Sequence, residues 1–281
     1  MGYHSAAPAH GRYAERTMLP DVETLRSIIA TVAADEALPR FRASRAEYKL
    51  DGSVITATDR RMQERMRGEL QRRWPEYGFL GEEMSVSEQR VALADSDAGL
   101  WCLDPLDGTS NFASGLPFFA VSLALLVGGR PRIGLVYDPV HQECFTARHG
   151  EGAYLNGERL LARSEVELRR CIACVDFKRL PGPLAGQLAS AFPYMSQRNI
   201  GASALDWCWV AAGRFQVYIH GGQKLWDYAA GGLVLNEAGG WARTLEGEEV
   251  YAGGLETRSV VAAVTPGLFQ AWKRWIDEHS R

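Results

Sequence analysis

The sequence predicts a mixed α/β (α+β) fold containing at least one largely antiparallel sheet. Helical and strand-like segments alternate along the chain, with no internal repeat and no low-complexity linker. Three successive strand-like stretches, Phe118 to Val127, Ile133 to Tyr137 and Gln142 to Thr146, are broken by Gly128-Gly129-Arg130-Pro131, Asp138-Pro139 and His149-Gly150, the turn signals of a meander. The 281 residues, 46% hydrophobic and 23% charged, suit a globular chain of one or two domains. A chain this long buries roughly three-quarters of its unfolded surface and needs no disulfide or structural metal to hold a core.

Residues 1–18 read as a disordered tail. Met1 to Pro20 has no apolar segment of the kind an export signal needs, and Arg12, Glu15 and Arg16 interrupt it. Asp21 to Arg42 is rich in helix formers, with Leu25, Ile28, Ile29 and Val32 at helical spacing. Val54 to Thr56 reads as a short strand after Asp51-Gly52. Thr58-Asp59 opens a helix that runs through Arg60 to Trp74 and stops at Pro75. Phe79-Leu80 and Leu100 to Leu103 are short apolar strands, ending at Gly81-Glu82-Glu83 and Asp104-Pro105-Leu106-Asp107. Asn156-Gly157 marks a tight turn after the meander. In the second half Cys171 to Phe177, Phe215 to Ile219 and Val260 to Val264 read as strands. Residues 183–192, Ser203 to Gly213, Asp227 to Ala238 and Pro266 to His279 read as helices, the third closed by Gly239-Gly240.

Charge and composition exclude several functions. A net charge of −3, from 31 basic and 34 acidic residues, argues against a general nucleic-acid binder. No apolar run approaches the ~20 residues that span a bilayer, and Phe118 to Val127 is interrupted by Ser122. Five cysteines fit a reduced, cytoplasmic chain better than a disulfide framework.

The chemistry concentrates in the acids at strand ends. Asp104 and Asp107 stand three apart around Pro105, which fixes its own φ and restricts its predecessor. On such a bend both carboxylates can face one pocket, and their oxygens suit hard cations such as Mg²⁺, Mn²⁺ or Ca²⁺. The bland alternative is a surface turn, since Asp-Pro and Asp-Gly are common turn pairs. Gly108-Thr109-Ser110 follows at an expected helix start, a natural phosphate cradle. Metal ligands running into a phosphate cradle point to chemistry on a phosphate ester.

The segment WCLDPLDGTSNFASGLPFFAVSLAL closely resembles the signature of the inositol monophosphatase family. KLDGSVITATD (Lys49 to Asp59), Gly81-Glu82-Glu83 and LWDYAAGGLVLNEAGG (from Leu225) resemble three further motifs of that family, in the same order. The resemblance spans about residues 20 to 275. It implies a layered α-β-α-β-α sandwich with a largely antiparallel N-terminal sheet and a smaller second sheet. It also implies an N-terminal α+β lobe (19–160) holding most metal ligands and a C-terminal α/β lobe (161–281) completing the site. By position, Glu82, Asp104 and the Leu106 carbonyl match ligands of a first metal. Asp104, Asp107 and Asp227 match ligands of a second, and a third, weaker ion shares Glu82. Asp59 and Thr109 match the pair that holds the attacking water, so Asp59, Thr109 and Glu82 are the catalytic candidates. Gly108, Thr109 and Ser110 are the phosphate-binding candidates. Glu83 matches a neighbouring acid that is not a principal ligand.

The resemblance therefore implies a lithium-sensitive phosphomonoesterase that uses two or three Mg²⁺ ions (Mn²⁺ as substitute). Its partner is a small phosphate ester, not a membrane or a nucleic acid, and it is expected to be a homodimer. Asp107, Gly201, Ser203, His220 and Asp227 are the substrate-binding candidates. His220 stands where an inositol phosphatase usually carries a glutamate that contacts a sugar hydroxyl. It either takes over that contact or is a strand-end histidine bonded to backbone alone. Lys224 either faces a second anionic group of the substrate or is simply solvated. The first motif also occurs in relatives acting on histidinol phosphate and on adenosine bisphosphate, so those activities are alternatives. So is a regulatory binding partner of the transcription machinery that retains the site.

Other conspicuous residues have plainer readings. Cys171 and Cys174, three apart in a strand, point to opposite faces and read as buried thiols. His141 and Cys144 lack ligand-like company. Trp226 is expected to pack so as to fix Asp227. Trp207 and Trp209 do not share a helical face, which leaves one of them for a subunit interface. Arg60, Arg61, Arg65 and Arg67 form a basic helix face, solvated or met by an acidic partner.

Overall fold

The computed structural model describes residues 19–43, 46–49, 52, 54–95 and 98–280; the tail expected over residues 1–18 lies outside them. Helix α1 (Val22–Val32) begins where the Asp21 carboxylate accepts from Thr24 N at 2.8 Å. The single helix expected to Arg42 instead loosens into a wide turn over Ala33–Ala37 and a tight one over Leu38–Arg40. Pro39 has no amide to offer the Asp35 carbonyl, and the Arg40 guanidinium supplies the donor, 3.1 Å from Asp35 O and 2.8 Å from Glu36 O. A short antiparallel pair, β1 (Glu47–Tyr48) and β2 (Val54–Ile55), leads into α2 (Ala57–Arg73).

The central layer is a seven-stranded sheet. Its strands are β3 (Gly78–Gly81), β4 (Leu100–Asp107), β5 (Ala120–Val127), β6 (Arg130–Asp138), β7 (Glu143–Arg148), β8 (Gly152–Leu155) and β9 (Glu158–Leu160), in that spatial order. Only β3 and β4 run parallel; the rest form the predicted meander, extended by a hairpin that turns at Asn156-Gly157. One helix escapes the sequence reading, and one begins where it was expected. Helix α3 (Val86–Ala94) was not predicted: its apolar residues lack a face, and only the capping box Ser85/Glu88 marks its start. Helix α4 (Thr109–Ser114) follows β4 directly. All eight residues of β4 are buried, which explains its unbroken apolar run. Trp101 and Leu103 face α1 and α2, against Leu25, Ile29, Met62 and Met66; Leu100 and Cys102 face the other way.

That other face meets α6 (Ser203–Ala211) and α7 (Leu225–Ala238). Beyond them lies a second sheet built from β10 (Ile172–Asp176), β11 (Ser196–Arg198), β12 (Val217–Gln223), β13 (Trp241–Arg243) and β14 (Arg258–Ala263), in the order β11-β10-β12-β14-β13. Its outer face carries α5 (Gly182–Ser190) and α8 (Pro266–His279), giving the expected α-β-α-β-α sandwich. One buried cluster runs from the seven-stranded sheet through α6 and α7 into the second sheet. Ser122 Oγ in β5 donates to Trp226 O at 2.9 Å and pins the start of α7 to the larger sheet. No helix among the described residues is long and apolar enough to cross a membrane.

The α6–α7 contact depends on a missing side chain. A Cβ at Gly231 would lie 2.6 Å from Trp207 Cβ and 3.1 Å from Ala204 O, whereas one at Gly232 would meet nothing within 4 Å. Ala in place of Gly gains about 1 kcal/mol of helix propensity, and overpacking costs about 1–3 kcal/mol. Urea denaturation should therefore show Gly231→Ala destabilised by about 1–2 kcal/mol and Gly232→Ala stabilised by up to about 1 kcal/mol. Equal effects at the two positions would contradict this packing.

Candidate functional site

The site is assembled at the carboxyl end of β4. In a regular strand Asp104 and Asp107, three apart, would point to opposite faces. Their partners on β5 are Ser122 and Ala120, only two apart, so β4 carries one extra residue there. This bulge, at Pro105-Leu106, turns both carboxylates toward one cleft. Asp104 Oδ1 accepts from Leu106 N at 2.9 Å, closing the bend on itself. Asp107 reaches α6: Oδ1 accepts from Ser203 N at 3.1 Å and Oδ2 from Ala204 N at 2.7 Å. Helix α6 has no cap of its own, since Ala202 stands in that place, and Asp107 serves as its N-cap from another strand.

Gly108 turns the chain out of β4 with φ +87°, and a Cβ there would lie 2.8 Å from Phe118 O. Thr109 follows. Its hydroxyl oxygen is 2.9 Å from Asp59 Oδ1 and 3.0 Å from Leu106 O, so one proton serves two acceptors. Asp59 also closes the capping box of α2 on its N-cap Thr56: its Oδ2 accepts from Thr56 N at 2.8 Å and Thr56 Oγ1 at 2.6 Å. Asp227 repeats the device in α7, accepting from Lys224 N at 2.8 Å. Glu82 enters from the end of β3, with its own N–H donated to Leu103 O at 3.1 Å. Ser110 sits exposed on the first turn of α4.

The electrostatics show a cleft short of positive charge. Burial, then Glu82, Asp107 and Asp227, hold Asp104 well above the usual carboxylate range. Asp107 is held high by burial and Asp227, against the pull of the two α6 amides. Burial and Glu82 push Asp227 up to about 6. Burial also raises Asp59, against its bonds to Thr56 and Thr109. Lys49, which sequence reasoning overlooked as a site residue, supplies a cation at Glu82 and Glu83. Its Nζ lies 2.9 Å from Glu82 Oε1 and 2.8 Å from Glu83 Oε1. Burial works against its charge, but the two glutamates outweigh burial and raise it. Glu83 remains pushed up to about 7, by burial and Glu82.

Among the described residues no three His, Cys, Asp or Glu side chains converge into a ready-made metal cage. The cleft offers hard oxygen donors in need of counter-charge. Mg²⁺ fits such a donor set, because it keeps several waters and is usually held through one or two carboxylates rather than an all-protein cage.

The substrate candidates divide. Gly201 and Ser203 sit beside Asp107, where Asn111 Nδ2 donates to Phe118 O at 2.7 Å and Ile200 O at 2.6 Å and ties the two loops together. His220 is buried with both ring nitrogens engaged: Nδ1 accepts from Gly222 N at 3.0 Å and Nε2 faces Asp176 Oδ2 at 3.1 Å. A sugar-hydroxyl contact has no ring nitrogen left to use. Nor is the bonding to backbone alone. Asp176 was invisible in the sequence because its link to His220 is a parallel-strand register. Asp206, on α6, is equally unannounced; it is buried, pushed up to about 8 by that burial, and bonds Cys174 and Tyr218.

The plainer residues resolve locally. All five cysteines are free and buried. His141 pairs with Asp138 at 2.7 Å. Arg60 pairs with Glu47, and Arg65 with Asp35 and Glu36, so the basic face of α2 meets the chain's own acids. Trp207 is buried and donates to Gln223, while Trp209 is half-buried against Phe118.

Known proteins resemble the chain along most of its length. The model of the inositol monophosphatase family matches residues 17–276. The Nus factor SuhB of Pasteurella multocida is 36% identical over 211 residues, 72% of this chain and 76% of that protein. Inositol monophosphatase 1 of Solanum lycopersicum is 34% identical over 232 residues, 80% and 83% of the two chains. A solved IMPase/NADP phosphatase, complexed with Mg²⁺ and phosphate, superposes with a TM-score of 0.76 at 25% identity, covering 90% of this chain and 91% of the other.

The raised acids set a pH dependence. They hold protons more tightly in the folded chain than in the unfolded one, where carboxyls titrate near pH 4. From there up through about 6 (Asp227), about 7 (Glu83) and about 8 (Asp206), the folded state carries the extra protons and stability falls as pH rises. Thermal unfolding of metal-free protein should show Tm falling from pH 5.5 to pH 8. Added Mg²⁺ should raise Tm more at pH 8 than at pH 5.5. A flat or rising metal-free profile would contradict the charge balance described above.

Proposed function

Because the chain belongs to the inositol monophosphatase family, we propose that it is a Mg²⁺-dependent phosphomonoesterase. It hydrolyses the phosphate of a small polyol, sugar or nucleotide-like molecule, with water as nucleophile. The observation that carries this reading is the bulged end of β4, where Asp104 and Asp107 share a cleft with Glu82, Asp227 and the Thr109–Asp59 pair. Glu82, Asp104, the Leu106 carbonyl, Asp107 and Asp227 would hold two or three Mg²⁺ ions, with Mn²⁺ as substitute. When bound, these ions neutralise the phosphate dianion, acidify a bound water and steady the leaving alkoxide.

The chain's own groups do the rest. The Thr109 hydroxyl donates to Asp59 and keeps lone pairs that accept from the attacking water. Burial makes Asp59 a stronger base than a surface carboxylate, so it can draw that proton through Thr109. The amides of Gly108, Thr109 and Ser110 hold phosphate oxygens. Gly201 and Ser203 line the substrate side together with Asp107 and Asp227, which would also hold metal. We place the enzyme in the cytoplasm as a lithium-sensitive homodimer. A 3'(2'),5'-bisphosphate nucleotidase and a histidinol-phosphatase are the alternatives within the same chemistry. The Nus-factor name of one relative favours a second reading, a regulatory partner of the transcription machinery.

Phosphate release should be measured with and without Mg²⁺ from inositol-1-phosphate, glycerol-2-phosphate, histidinol phosphate and NADP. One preferred, Mg²⁺-dependent substrate is expected; no release from any would sink the phosphatase reading. Thr109→Ala should lower kcat by about 10²-fold or more, the scale of a lost proton-transfer partner. Asp107→Asn should lower it further while the circular dichroism spectrum persists. A pull-down whose partner survives Asp107→Asn in a protein without activity would favour the regulatory reading.

A further inference from the structure

The wall beside Asp227 is built differently from the acid cluster. Strands β10 and β12 run parallel, and the turn after β10 (177–180) lies against the far end of β12 (221–223). A Cβ at Gly221 would fall 1.6 Å from Arg179 O and 2.6 Å from Leu180 N, so any side chain there would drive the two apart. Strand β12 is bulged at this point: His220 pairs with Val260 and Gln223 with Arg258. The close approach lets Arg179 Nη1 donate to Gly222 O at 3.0 Å.

That bond fixes the guanidinium with one of its five donors and leaves the others unspent. Among the described residues no Asp or Glu pairs with Arg179 or with Lys224. Gly222, which holds Arg179, stands two residues before Lys224, whose amide bonds Asp227, so the guanidinium lies at the rim of the site. Lys224 gives its amide to Asp227 at 2.8 Å while its side chain stands exposed. Two cations without acid partners among the described residues stand beside Asp227, and what gains from them is an anion other than the phosphate assigned to the 108–110 amides. His220 completes the argument, because its ring is spent on Gly222 N and Asp176 and cannot read a hydroxyl. Recognition at this wall rests on charge.

We propose that the substrate carries a second phosphate besides the one that is cleaved, gripped by the Arg179 guanidinium with Lys224 adding its charge. Arginine suits this task because its planar fork matches phosphate oxygens in a two-bond grip. The inference rests on the phosphatase reading and narrows it to bisphosphate-like substrates.

The test compares matched pairs in the presence of Mg²⁺: adenosine 3',5'-bisphosphate against adenosine 3'-phosphate, and fructose 1,6-bisphosphate against fructose 1-phosphate. Wild-type protein should favour the bisphosphate of at least one pair by tenfold or more in kcat/KM, chiefly through KM. Arg179→Gln should cut that ratio at least fivefold, Arg179→Lys should keep part of it, and Lys224→Gln should cut it about twofold. A wild-type ratio near one in both pairs, or a ratio that Arg179→Gln leaves unmoved, overturns the proposal. If neither pair is turned over, calorimetry with the same compounds decides it. Binding of a bisphosphate that weakens at least fivefold in Arg179→Gln supports the subsite even though the phosphatase reading has failed. Equal binding by the two proteins, or no binding, overturns it. Turnover with an unmoved ratio is the failure of this inference alone.

Discussion

Four acids, Glu82, Asp104, Asp107 and Asp227, share one cleft, and burial with mutual repulsion raises the last three above their ordinary range. The surrounding architecture keeps that repulsion from scattering them. Asp107 caps α6, while Asp227 in α7 and Asp59, across the cleft in α2, sit in the first turn and bond back to the amide that opens the helix. Three helices thus present their positive N-terminal ends to the acids, each contributing amide donors and a favourable dipole. The acids are at once the candidate metal ligands and part of the packing that sets the helices on their sheets. What the helix ends leave uncompensated is the demand for a mobile cation, and Lys49 meets it only at Glu82 and Glu83.

The two sheets solve the same geometric problem in the same way. In the larger sheet the extra residue between Asp104 and Asp107 turns two acids into the cleft. In the smaller sheet the irregularity between His220 and Gln223 seats a neighbouring loop and brings Arg179 to the rim. One bulge gathers negative charge, and the other sets positive charge beside it. Ser122, the β5 partner of Asp104, also bonds the start of α7, so the bulge and Asp227 are tied through a single side chain.

Much of this was readable in the chain itself. The meander followed from Gly128-Gly129 and Asp138-Pro139, and β4 from an apolar run stopped by Asp104. Helix α2 was readable from Thr58-Asp59, although it starts at Ala57 and its cap, Thr56, read as the end of a strand. Short elements escaped because two or three residues carry no period: β1, β11 and β13 exist through their pairing alone. Helix α3 escaped because its apolar residues have no face, despite the Ser85/Glu88 box. At the site, acids in compact motifs were legible, whereas groups joined across the fold were not. Asp176 meets His220 through strand register, Arg179 meets Gly222 through a gap that glycine leaves, and Asp206 is buried behind Asp107. Lys49 lay in plain view within the first motif, yet its reach to Glu82 and Glu83 depends on where β3 ends.

A buried carboxylate cluster of this kind should take up a divalent cation. The most direct measurement is calorimetric Mg²⁺ titration at pH 7 in two buffers of different ionisation enthalpy, with wild-type protein and Asp107→Asn. Acids raised toward neutrality must shed protons when metal binds, so the apparent enthalpy should differ between buffers, reporting net proton release that shrinks in the variant. Identical enthalpies in the two buffers, or no Mg²⁺ binding at all, would contradict the account.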